Sequence, residues 1–437
     1  MPDLLEKVTS LAKRRGFIFP SSEIYGGFRS AYDYGPQGAA LKWNLKREWI
    51  QEMVVKRADI VGLDAAILMS PKVWEASGHT TAGFADELAE CPQCHKRWRY
   101  DHVKGACPDD KAKLGAPKKF NLLVRTFLGP VEDESALTYF RPETAQGIYV
   151  NFENVTATQR VKLPFGIAQI GKAFRNEITP GPFTYRMREF EQMEMQWFCK
   201  PDSADEWFTY WKQERMHWYV EVLGISPAHL RFHPHAKEEL AHYAKTAVDI
   251  EYEYPWGWGE LEGIHNRGDF DLTNHAKCSG KDISYFDEAI NERVIPYIIE
   301  TSGGVDRAIL VLLLEHYKEE EVKSEKRVVL RFPRWLAPLP AAVLPIVKNN
   351  NLVVAKAHEV EQVLRAADFQ VFYDEVGSIG RRYRRLDEIG TPFAITIDFD
   401  TLEQNTVTVR DRDSMQQERI AIPNLVSYIH EQLRKPI

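Results

Sequence analysis

The chain has 437 residues, 44% of them apolar and 27% charged, with 56 Lys+Arg against 63 Asp+Glu and a formal net charge of −7. This composition excludes extensive disorder and an overall basic nucleic-acid coat, and the longest apolar run, residues 308–314, is far short of the ~20 residues of a bilayer span. Residues 1–16 lack the apolar stretch of a secretory leader and five cysteines make no disulfide scaffold, so a cytoplasmic protein of two or three domains with no membrane partner is expected.

In chain order, residues 39–54 predict a helix with Leu41, Leu45, Trp49 and Met53 on one buried stripe. Strand-like segments follow at 65–69, 138–141, 167–174, 190–198 and 282–286. Two stretches look inserted: 86–119, polar and holding most of the cysteines, and 201–246, helical and rich in Trp, Tyr and His. A mainly antiparallel sheet with helices around it is the expected α+β core, over residues 1–324. The polar stretch 315–327 reads as a helix end and linker. Beyond it, strands at 328–332, 369–373, 393–398 and 406–410 alternate with helices at 356–367, 379–389 and 425–433. That alternation predicts a second, α/β domain over 325–437 with a largely parallel sheet.

Three segments carry candidate chemistry. Phe174-Arg175-Asn176-Glu177, a turn-rich loop, and Tyr185-Arg186-Met187-Arg188-Glu189-Phe190 would pair as antiparallel strands with three arginines close together. Arginine suits polyphosphate because its planar fork donates two parallel hydrogen bonds, although a surface hairpin with charge pairs has the same pattern. Thr301-Ser302-Gly303-Gly304-Val305-Asp306-Arg307 precedes an apolar helix, where paired glycines admit a ligand or simply make a turn. At 137–147 a strand ends in Pro142-Glu143-Thr144, and Glu143 either meets a ligand or balances the following helix. Glu191, Glu194, Glu260, Glu262 and Glu300 lie in apolar or aromatic neighbourhoods, where carboxylates are costly unless paired. Gathered in one pocket, such acids would favour an ammonium or a metal.

These strings resemble the class II aminoacyl-tRNA synthetases. Phe174–Glu177 with Arg186 and Phe190 is similar to motif 2, Gly303–Arg307 with its helix to motif 3, and helix 39–54 to the dimer-forming motif 1. Residues 141–147, 190–194, 259–263 and Gly377-Ser378-Ile379-Gly380-Arg381-Arg382-Tyr383-Arg384-Arg385 resemble the homodimeric glycyl-tRNA synthetase family, from Tyr25 to about residue 432. The resemblance implies ATP-dependent activation of glycine with Mg²⁺, then transfer to tRNA(Gly). It implies that Arg175 holds the α-phosphate of ATP, Arg186 the γ-phosphate end, and Phe190 and Arg307 the two faces of adenine, with Glu177 alongside. Asn176, Tyr185, Met187, Arg188, Glu189, Gly304, Val305 and Asp306 complete the implied ATP site, and Glu260 with Leu261 touches ATP and its Mg²⁺. For glycine it points to Glu143, Glu194, Glu300 and Ser302, with Phe190, Glu191, Gln192, Met193, Thr301, Gly303 and Gly304 around them and Arg99 as a further contact.

The C-terminal half resembles the anticodon-binding domain shared by related synthetases, with Arg381, Arg382, Arg384 and Arg385 as a basic helix face for tRNA phosphates. A solvated face paired to Asp387 and Glu388 is the bland alternative. Cys91, Cys94 and Cys107 offer three of the four ligands of a zinc site, with His95, His102 or Asp109 as substitutes for the fourth. Because the second pair is incomplete, a metal-free loop is the expectation. Two rivals remain: a synthetase for another amino acid on this scaffold, and a binding subunit without catalysis. The presence of Arg175, Arg186 and Arg307 opposes the second.

Overall fold

The amphipathic helix forms as Pro36–Ile50, with proline in the first turn where its missing N–H costs nothing, and runs on as one wider turn, Gln51–Val55. Leu41, Leu45, Trp49 and Met53 are all buried, as their fourfold spacing predicts. The helix packs against a second one, Val305–His316, in which every residue but Arg307 is buried. A helix that is apolar nearly all round belongs in a core, and this one forms the spine of the largest apolar cluster. In this computed structural model every residue is described except 1, 82–83, 104, 179–180, 237–239, 242, 289, 323 and 436–437.

Beneath the two helices lies a seven-stranded sheet. Its spatial order is Leu230–Pro234, Thr246–Tyr254, Gly257–Gly268, Tyr297–Gly304, Glu189–Cys199, Phe165–Phe174 and Ile60–Gly62. Every pairing is antiparallel except that of the last, edge strand. Two small sheets flank it: a hairpin of Val124–Phe127 with Leu137–Phe140, and three strands, Arg97–Arg99, Ala85–Glu90 and Lys118–Asn121. The C-terminal sheet orders Val371–Tyr373, Ala341–Pro345, Phe393–Ile397, Thr406–Asp411 and Gln417–Ala421, with its own core under the helix Asn351–Ala366.

Several expectations need correction. Residues 65–69 form no strand and contribute only a bridge from Leu68 to Phe140. Within the inserted stretch 201–246 the long helix ends at Val222, a single helical turn follows at Pro227–His229, and Leu230–Pro234 is the edge of the central sheet. Of the stretch 315–327, Glu315 and His316 do end a helix, but Tyr317–Val322 and Glu325–Leu330 pair as an antiparallel ribbon where a linker is expected. The C-terminal sheet is mixed, with two parallel and two antiparallel pairings. The cause is local: the helix Phe399–Gln404 has six residues and ends on Asn405 in the left-handed region, too short a connection for a parallel crossover.

Candidate active site

The strand Glu189–Cys199 serves two surfaces because its sequence alternates with period two. Met193, Met195 and Trp197 join the apolar core, which leaves Gln192, Glu194 and Gln196 on the opposite face, yet all six are buried. Antiparallel register sets Glu194 between Gln169 and Ser302, and Gln196 opposite Glu300, which in turn faces His265. A polar row thus crosses three strands in the interior.

Glu143, Glu194 and Glu300 converge there. Glu194 is 1% exposed and accepts from Thr144 Oγ1 and from Gln196 Nε2 at 2.8 Å. Gln196 Nε2 also donates to Glu300 at 3.0 Å, and Arg267 Nη1 does so at 2.8 Å. His79 Nε2 lies 3.3 Å from Glu143, whose other oxygen accepts from Gln146 at 2.9 Å. Burial opposes ionisation of all three, but the outcomes diverge. Arg267 and His265 hold Glu300 down at about 2, and His79 and Arg267 keep Glu143 below the usual carboxylate range. Burial, then the charges of Glu300 and Glu143, push Glu194 well above it. Glu143 and Glu300 thus have their charges balanced by cationic neighbours, and Glu194 does not.

The arginines line the adjoining cleft, with Arg175, Glu177, Tyr185, Arg186, Phe190, Glu260, Ser302 and Arg307 in its wall. Arg175 lies 5.3 Å over the Phe190 ring and donates to the Pro142 carbonyl at 3.1 Å. Arg307, the one residue of its helix turned out of the core, stands 3.0 Å from Glu260 and 4.6 Å over the Tyr185 ring. Arg307 is the main reason Glu260 titrates below the usual range. Burial raises Glu177, against the fields of Arg186, Arg175 and Arg99. Arg99 itself pairs with Asp86 at 3.3 Å.

Not every expected residue turns a side chain to this cleft. Met193, Leu261 and Val305 belong to the apolar core, so any ligand contact they make is through backbone. Glu191 sits on the core side of its strand and pairs with Lys42 at 3.0 Å and Lys46 at 2.8 Å. Asp306 is a buried hub that accepts from Lys42, Tyr34 and the Glu191 amide at 2.7–2.8 Å. Asn176, Arg188 and Glu189 line a neighbouring hollow with Phe28 and Phe120, and Glu189 pairs with Lys172. Gly303 is confined instead by Glu262, 3.0 Å from where a Cβ would stand. Sequence reasoning missed His79, Gln169, His265 and Arg267. Gln169 had a signal, a lone amide among apolar residues on a buried strand, and its side-chain atoms have no hydrogen-bond partner among the described residues.

In the C-terminal domain the four arginines separate. Arg382 is 2% exposed and donates to the carbonyls of Pro345, Asp374 and Ile346, so it cannot belong to a solvent-facing basic face. Arg385 pairs with Asp374 and Arg384 with Asp387, while Arg381 is exposed. Around the cysteines, Asp110 rather than His95 or Asp109 joins Cys91, Cys94 and Cys107, with the four ligand atoms within 4.8 Å of one another. The side chain of His102 lies outside the described residues.

An antiparallel sheet carrying an arginine hairpin and a glycine-rich entry to a buried helix defines a class II aminoacyl-tRNA synthetase core. Residues 130–317 match the family "tRNA synthetase class II core domain (G, H, P, S and T)" and residues 341–432 the family "Anticodon binding domain". The chain is 53% identical to the glycine–tRNA ligase of Thermobifida fusca, over 99% of this chain and 98% of that one. It is 49% identical to that of Streptomyces coelicolor, over 99% of both, and 52% identical to that of Borreliella burgdorferi, over 98% and 97%. The chain belongs to the glycine–tRNA ligase family.

Proposed function

We propose that this chain activates glycine with ATP in the cleft described above and passes it to tRNA(Gly), with the ammonium of glycine held by Glu194, Glu143 and Glu300. The observation that carries this reading is Ser302, which lines the arginine cleft and faces Glu194 across the sheet. Neighbouring strands lie about 4.8 Å apart, so an ammonium at Glu194 leaves its carboxylate at the edge of the phosphate arginines. Attack of that carboxylate on the α-phosphorus expels pyrophosphate, and a ribose hydroxyl of tRNA then takes the acyl group and releases AMP. No protein nucleophile is required. Arg175 on the α-phosphate and Arg186 on the γ-phosphate offset the charge that develops, and Phe190 with Arg307 encloses the adenine.

Glu260 suits a Mg²⁺ that arrives with ATP: its side chain is half exposed, and Arg307 keeps it ionised. Such an ion commonly takes one or two protein carboxylates beside phosphate oxygens, and it supplies further charge neutralisation. Arg99, brought beside Glu177 by the first inserted stretch, would bound the glycine side of the site. Arg381, Arg384 and Arg385 would meet tRNA phosphates. Activation would fall to residues 1–324 and tRNA reading to 325–437, the two joined by the ribbon of Tyr317–Val322 and Glu325–Leu330. A second copy is expected to cover Ile24, Tyr25 and Trp43, which are 89%, 85% and 68% exposed on and before the helix Pro36–Ile50, giving a homodimer in the cytoplasm. No helix among the described residues is long and apolar enough to cross a membrane. ATP–pyrophosphate exchange with each of the twenty amino acids tests the reading. Exchange with glycine alone is expected; exchange with another amino acid would overturn the carboxylate pocket as a glycine site.

A further inference from the structure

The stretch from Ala85 to Asn121 has its own small core, and that core is too thin to hold it. Its buried apolar cluster consists of Ala89, Cys91, Cys107 and Leu114, two of the four being cysteines. A segment of this size ordinarily needs a disulfide or a metal to stay folded. The sulfurs of Cys94 and Cys107 are 3.7 Å apart and unbonded.

The backbone repeats itself around these residues. The amide of Cys91 donates to the Lys96 carbonyl at 2.9 Å, and the amide of His95 donates back to Cys91 at 2.9 Å. Sixteen residues on, the amide of Cys107 donates to Ala112 at 2.8 Å, and that of Lys111 back to Cys107 at 2.9 Å. His95 and Lys111, the fifth residue of each turn, both take the left-handed conformation, with φ of 55° and 62°. Cys94 accepts from the amide of Lys96, and Asp110 accepts from that of Ala112 at 3.0 Å. Asp110 therefore occupies, in the second turn, the place that Cys94 occupies in the first. Two such turns facing each other with a ligand at their first and fourth residues form a pair of metal knuckles.

We propose that Cys91, Cys94, Cys107 and Asp110 bind one Zn²⁺ through three thiolates and a carboxylate, stapling this inserted subdomain. The spacing fits the ion. Zn–S bonds of ~2.3 Å in a tetrahedron put sulfurs about 3.8 Å apart, and a shorter Zn–O bond brings the sulfur–oxygen edge below that. The Cys94–Cys107 separation is 3.7 Å and Cys91 Sγ lies 3.3 Å from Asp110 Oδ2. Three soft sulfurs with a closed fourth position favour a structural zinc over a hard cation or an open catalytic metal. Binding releases the three thiol protons to solvent, with no change in oxidation state. The site is separate from the proposed glycine and ATP residues and stands whether or not those roles hold.

The test uses the full-length protein purified under reducing conditions. Elemental analysis is expected to give one zinc per chain, and Co²⁺ substitution to give the intense visible bands of a tetrahedral site with thiolate charge transfer. Asp110→Ala should weaken zinc at least ~10-fold in competition with a chelator. Asp110→Cys should retain the metal and strengthen the charge-transfer band, and His95→Ala should change neither. Because Cys107→Ser could fail to fold, the Asp110→Cys gain keeps the test decisive. A folded protein without zinc that takes up no Co²⁺, or a spectrum lost in His95→Ala and kept in Asp110→Ala, would overturn the proposal.

Discussion

Glu194→Gln isolates what the buried carboxylate contributes to glycine recognition. The side chain is 1% exposed, and burial together with Glu300 and Glu143 raises its pKa in the free protein. A neutral isostere of the same shape removes a charge that the folded state disfavours, so the melting temperature should hold or rise slightly. Substrate binding should suffer instead. A hydrogen bond to a charged group contributes about 1.5–3 kcal/mol, and losing that to the ammonium corresponds to a roughly 10- to 150-fold rise in the KM for glycine. The KM for ATP should be unchanged. The pH dependence has a fixed sign: a carboxyl with a raised folded pKa must release its proton when the ammonium arrives. Wild-type glycine affinity therefore increases as pH rises through that pKa, whereas the variant should show no such step. Pyrophosphate exchange against glycine concentration at several pH values, with a thermal melt on each protein, supplies both readouts. An intact fold with a glycine KM within threefold of wild type, and an unaltered pH profile, would refute the assignment of the ammonium to Glu194.

Arg307→Ala should abolish adenylate formation by exchange assay while leaving tRNA affinity nearly intact, and should return the Glu260 carboxyl toward its ordinary pKa by removing its main counter-charge. Arg381→Glu should weaken tRNA binding and lower the salt slope by about one, with exchange unaffected. Arg382→Ala, by contrast, should lower the melting temperature because it leaves the Pro345 and Asp374 carbonyls without their donor. Asp387→Asn should cost about 3–5 kcal/mol in denaturant unfolding, since Arg327 and Arg410 both donate to this fully buried carboxylate and would keep their charges.

Much of the molecule is determined by local pattern. The stripe of Leu41, Leu45, Trp49 and Met53, the alternation from Gln192 to Trp197, and the paired glycines before Val305 each specify one element and its buried face from a few adjacent residues. Some misreadings had a local remedy too. Arg382 falls in phase with Ile379, Leu386 and Ile389 on the inner side of its helix, so its burial follows from helical period where a count of charges suggests a basic face. Asp110 follows Cys107 by the same step that Cys94 follows Cys91.

Other features exist only in three dimensions. Asp306 meets Tyr34 and Lys42 across more than 260 residues, His79 reaches Glu143 from a separate turn, and Arg267 spans to Glu300 from the adjacent strand. Whether Glu191 faces the substrate or the Lys42–Lys46 pair depends on which side of the strand the helix covers. Side-chain period can name two faces of a strand; only the packing of distant elements decides which face becomes core and which becomes site, because the cost of burying a charge depends on the partner waiting there.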